Sequence, residues 1–223
     1  MILNVEMYND HIRQTKELTL SSAQIENKVK HYEYKGEKRV VDNQVENMLL
    51  PPIALVFYGL LYVYDDVPSP DDLLDEYFRQ PYFAYIPDNK VEVTYNDCVE
   101  LCNIESVTAR VLRTYPSLLR DLHFYILAKE SNCFDAVRYS FKKDYEEKID
   151  VQIMHKGKWH NVGLLLNSKR SLWYKFKKQF RHKPTDVLYV ELDKTDCKMC
   201  GDYMLYTEKH IQQLHKKIKQ FDK

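Results

Sequence analysis

Glycine is scarce in this 223-residue chain, with five residues, and there are only eight prolines. Such a composition excludes a collagen-like or low-complexity polymer and argues for packed elements. Net charge is also absent, since 33 Lys and Arg balance 33 Asp and Glu. Any affinity for a polyanion must therefore come from local asymmetry. The longest apolar run, Ile53 to Tyr64, is tyrosine-rich and falls short of the ~20 residues that cross a bilayer. The opening MILNVEMYNDHIRQ lacks the apolar stretch of a signal peptide. Five cysteines are an odd number, so reduced thiols in a cytoplasm are the expectation, with no membrane partner.

What is present is 44% hydrophobic and 30% charged residues, enough for one large domain or two small ones. Charge is sorted along the chain. Asp65 to Glu76 carries six acids and no base, whereas Lys169 to Lys183 carries seven Lys and Arg and no acid. The first half reads as mixed and largely helical. Ser21 and Gln24 have capping-box spacing ahead of IENKVKHY, and HYEYKGEKRVV reads as a hairpin around Lys35-Gly36. VDNQVENMLL is helical up to Pro51-Pro52. IALVFYGLLYVY is a buried element of either type. Ser69-Pro70-Asp71-Asp72 starts a helix, with a cap, a proline at the first position and acids at the positive end. KVEVTYN is a strand and IESVTARVLRTY a helix. A soft boundary near Tyr115-Pro116 divides an accessory region, 1–115, from a second region, 116–223.

From Pro116 the pattern is helix (PSLLRDLHFYILAKES), three strands (FDAVRYSF, KIDVQIM and WHNVGLLLNSK), helix (SLWYKFKKQF), strand (DVLYVEL) and helix (TEKHIQQLHKKIKQF). The turn KGK joins the second and third strands. Two residues in this pattern carry chemistry. Asp150 is an isolated acid in an apolar strand, and Lys169 ends the neighbouring strand after Asn167. An acid beside a lysine on paired strands can hold a divalent metal next to an ammonium group, as attack of metal-bound water on a phosphodiester requires. The basic segment that follows supplies Arg170, Lys175, Lys177, Lys178, Arg181 and Lys183 for phosphate contacts. Trp173, Phe176 and Phe180 are spaced three and four apart and read as the buried stripe of that helix. Arg120 and His123 either touch phosphate or are partnered in the core.

This element order, with Asp150 followed by Asn167-Ser168-Lys169, resembles the PD-(D/E)XK nuclease superfamily over roughly Pro116 to Leu192. The resemblance implies an α+β fold with a restriction-endonuclease-like αβββαβ core. It implies an Mg²⁺- or Mn²⁺-dependent endonuclease cleaving DNA in restriction, defence or repair. It further implies Asp150 as the anchoring metal ligand, Lys169 as the group that orients water or balances phosphate charge, and a glutamate from the first helix. Glu130, or else Asp121, matches that last position. Asn167 stands where the family has a second acid. Its amide oxygen can ligate Mg²⁺, but the site loses a negative charge. A nucleic-acid-binding or regulatory protein on the same fold is therefore the alternative. Enzymes of this kind that cut both strands often act as homodimers.

A second constellation lies further on. Cys197-x2-Cys200 is followed by His210 and His215, a set that resembles a structural Cys2His2 Zn²⁺ site. The nine-residue gap between Cys200 and His210 is shorter than the usual twelve. A set of Cys98-x3-Cys102 with Cys197-x2-Cys200 is an alternative, and buried reduced thiols and a polar helix face are a third reading.

Overall fold

In a computed structural model, the chain is described over residues 2–6, 13–36, 41–140, 143–147, 149–166, 187–193 and 195–221. It is a mixed α+β protein that divides into two compact units. One comprises residues 27–119 and 201–203, the other residues 1–26, 120–200 and 204–223. The helix α5, Ile104–Glu130, contributes to both. Pro116 therefore lies inside a helix and does not start one. A proline in a helix interior costs ~3 kcal/mol. Burial of Val111, Leu112, Tyr115, Leu119 and Leu122 along α5 offsets that cost.

The first unit holds α2 (Asn43–Asn47), α3 (Ile53–Tyr64), α4 (Pro70–Arg79) and an antiparallel sheet β3-β4-β5 (Phe83–Ile86, Lys90–Tyr95, Cys98–Asn103). IALVFYGLLYVY resolves as the helix α3, stopped by Asp65 in the left-handed region at φ 51°. The α4 start forms as its sequence demands: Ser69 and Asp72 exchange side-chain to backbone hydrogen bonds, each 3.0 Å. Tyr77 and Tyr115 are fully buried, and their hydroxyls donate to the carbonyls of Pro51 and Pro68, both at 2.8 Å. A proline cannot donate from its own nitrogen, but its carbonyl is an ordinary acceptor. The Lys35-Gly36 hairpin does not form over residues 32–36, which are irregular, and residues 37–40 lie outside the described set. Instead the Tyr34 N–H donates to Asp202 at 3.0 Å.

The second unit is built on a four-stranded sheet in the order β6-β7-β8-β9 (Ala136–Arg138, Val151–His155, Lys158–Leu166, Val187–Leu192). The first three strands form an antiparallel meander, and β9 runs parallel to β8. The turn between β7 and β8 is Lys156-Gly157, with φ of 50° and 74°. That pair of positive values makes the tight hairpin turn whose twist suits the strands. Val151, Ile153, His160, Val162, Leu164 and Val190 make one buried face by their period of two. The helix α1 (Ser22–Val29) begins with the expected box, Gln24 N–H to Ser21 Oγ at 3.2 Å and Ser21 N–H to Gln24 Oε1 at 2.8 Å. The unit also includes β1 and β2 (Ile2–Glu6, Arg13–Glu17) and the helix α6 (Glu208–Phe221).

Candidate active site

Asp150 stands one residue before β7, where the chain has already joined β8. Its N–H donates to the Val162 carbonyl at 3.1 Å, and its Oδ2 accepts the Leu164 N–H at 2.5 Å. Two residues beyond Leu164, β8 ends at Leu166, and Asn167-Ser168-Lys169 follow at once. Because β7 and β8 are antiparallel, the start of one and the end of the other share an edge of the sheet. Asn167, Lys169 and the basic residues Arg170, Lys175, Lys177, Lys178, Arg181 and Lys183 lie outside the described residues.

The helix acid that stands with Asp150 is Asp121. Protein encloses it on nearly all sides while leaving some solvent exposure. Burial is the largest cause of a pKa well above the ordinary carboxylate range, followed by repulsion from Asp150 and Asp144, with Arg120 acting in the opposite direction. Desolvation and like charges both disfavour ionisation, so they add here. Asp144 comes from a single π-helical turn, Lys143–Glu147, and accepts a hydrogen bond from the Tyr139 hydroxyl at 3.0 Å. Such turns often mark functional positions. Tyr206, 1% exposed, shares the acids' field. Burial first, then Asp121 and Asp150, hold its hydroxyl in the neutral form.

Glu130 is placed differently. It lies nine residues beyond Asp121 on α5, about 13 Å along the axis at 1.5 Å per residue. Its carboxylate accepts the Ser22 N–H at 2.9 Å and the Ser22 hydroxyl, so it neutralises the positive start of α1. His123 is fully buried, with Nε2 3.2 Å from Glu26, and Lys198 donates to the same carboxylate at 2.6 Å. His123 is thus partnered in the core, and burial lowers its pKa despite Glu26.

The four residues of the expected zinc site are not gathered. Among the described residues no three His, Cys, Asp or Glu side chains form a metal-holding group. His210 Nδ1 accepts the Thr207 N–H at 3.0 Å, Cys200 is buried on β10 (Lys198–Cys200), and His215 packs against His155 and Phe134. Cys197 is half-buried, and all five cysteines are free thiols. Local spacing put these residues on a knuckle and a helix, but the hydrogen bond to Thr207 already occupies one nitrogen of His210.

Asp121 was legible only as the lesser choice for the helix acid, because both it and Glu130 lie on a mostly buried helix. Asp144 and Tyr206 carry no motif; sequence separation hides them. The chain matches no protein-family model, no curated protein and no solved structure. Its class rests on its own residues: a mixed α+β protein in which, among the described residues, no helix is long and apolar enough to cross a membrane.

Proposed function

We propose that the protein is a metal-dependent nuclease of the PD-(D/E)XK type that hydrolyses DNA phosphodiesters. The observation that carries this reading is the placement of Asp150. It enters β7 hydrogen-bonded to the end of β8, whose chain continues into Asn167-Ser168-Lys169, on a meander with a parallel fourth strand. That strand order supports the αβββαβ expectation, whose second helix, SLWYKFKKQF, lies outside the described residues. Asp121 adds a carboxylate from the preceding helix, in the role first given to Glu130.

The residues fit an Mg²⁺ or Mn²⁺ ion. Mg²⁺ needs only one or two carboxylates when water and substrate phosphate complete its shell. Asp150 and Asp121 supply two, and their mutual repulsion is what a dication would relieve. Such an ion supplies Lewis acidity and a more acidic bound water. Lys169 balances charge on the phosphate during attack and orients the nucleophile. The basic residues from Arg170 to Lys183 track the phosphate backbone. Cleavage of both strands would call for two copies.

Asn167 favours a second reading, a nucleic-acid-binding or regulatory protein that keeps the fold without cleavage. The separating experiment is digestion of supercoiled plasmid, single-stranded DNA and RNA with Mg²⁺, Mn²⁺ or EDTA, beside Asp150→Ala. Metal-dependent cutting of DNA that the variant loses is the expected result. Salt-sensitive duplex binding without cutting would favour the second reading, and neither cutting nor binding at low salt would remove both.

A further inference from the structure

The end of β7 and the second half of α6 bring two imidazoles together. His155 is the final residue of β7, 8% exposed, and its Nε2 is buried with no hydrogen-bond partner. Buried polar atoms are nearly always paired, because an unpaired one forfeits its hydration without return. His215 of α6 is half-buried, so solvent reaches that residue. The two ring centres are 5.1 Å apart with planes at 82°, and Phe134 lies against His215 at 5.6 Å.

That spacing has a chemical meaning. Two imidazoles that ligate one ion through nitrogens about 2.0–2.1 Å from it, at a near-tetrahedral angle, have ring centres roughly 5 Å apart. We propose that His155 and His215 bind a single imidazole-preferring transition-metal ion, of the Zn²⁺, Ni²⁺ or Cu²⁺ class, that ties α6 to β7. Burial, Lys219 and His155 itself lower the His215 pKa, which keeps that ring in the neutral, ligating form at neutral pH. His160 occupies the same sheet face one diagonal step away. Among the described residues, however, no third His, Cys, Asp or Glu is grouped with the pair. Water completes the shell, and binding is weaker than at a four-ligand site. The site is separate from the carboxylates in chemistry, since imidazole selects against Mg²⁺. It therefore stands or falls independently of the nuclease reading.

The test uses the full chain in excess Mg²⁺ at pH 7.5, titrated with Ni²⁺ and Zn²⁺ by calorimetry and thermal melting. Tenfold excess over the dissociation constant should raise Tm by about 3–6 °C. His215→Ala and His155→Phe should each abolish that rise. Because five thiols also attract these metals, the Cu²⁺ form is read by electron paramagnetic resonance, with coupling to two nitrogens expected and at most one in His215→Ala. The half-buried position of His215 makes its variant the safer one if His155→Phe fails to fold. Failure of the wild type to bind up to millimolar metal, unchanged binding in His215→Ala, or coupling to a single nitrogen in the wild type would each overturn the proposal.

Discussion

In residues 27–119 the charges named here are paired with an opposite charge or with a backbone group. Arg110 donates to the carbonyls of Val45 and Met48, Arg113 pairs with Glu46, Lys28 pairs with Asp66, and Asp42 caps α2. Around the start of β7, by contrast, burial and the neighbouring Asp150 and Asp144 raise the cost of ionising Asp121, and Arg120 opposes them. The first region uses charge to fix carbonyls and helix ends that burial would otherwise leave unpaired. The second keeps like charges close at the expense of stability. Natural proteins tolerate that pattern mainly where function needs it.

Substitutions can break or sharpen this contrast. Asp150→Ala and Lys169→Ala should each lower plasmid cleavage by roughly a thousandfold or more while leaving the circular-dichroism spectrum unchanged. Retained cleavage in both would remove the site assignment. Asp121→Asn should reduce cleavage by at least about tenfold and yet raise Tm at pH 7.5. The sign follows from linkage. A carboxyl whose folded pKa is raised binds more protons folded than unfolded, so its stability contribution is present at low pH and lost as pH rises above the ordinary value. The gain should therefore vanish near pH 3, and a variant that melts lower at pH 7.5 would contradict the repulsion. In the other region, Tyr115→Phe leaves the buried Pro68 carbonyl without its donor. It should cost about 1–2 kcal/mol in denaturant melts, with kcat of the folded protein unaltered. The smallest effect belongs to Glu130→Gln, about 0.5–1 kcal/mol, with cleavage retained. Loss of cleavage there would return Glu130 to the metal site.

The elements legible in sequence were those with local causes. Ser69-Pro70-Asp71-Asp72 and Ser21 to Gln24 specify their own helix starts. Alternation specifies β7 and β8, and Lys156-Gly157 specifies the turn between them. Features decided by distant packing were not legible. α5 passes through Pro116 because burial on both sides outweighs a missing donor. Tyr34 turns toward Asp202 although the Lys35-Gly36 dipeptide suggests a hairpin. At the site, Asp150 was marked by being the lone acid of its strand. What sets Glu130 apart from Asp121 is its pairing with Ser22, 108 residues away along the chain.

The parallel pairing of β8 with β9 sets an order of events during folding. The β7–β8 hairpin closes across two residues, Lys156 and Gly157, and hairpins of this kind form in about 1–10 μs. β9 reaches its place only after the far longer stretch of chain between Leu166 and Val187 has brought its ends together, which is entropically costlier and slower. A nascent chain therefore holds Asp150 against Leu164 before the fourth strand arrives. For that interval the edge of β8 is open, and its Val162-Gly163-Leu164-Leu165-Leu166 run can pair with another chain.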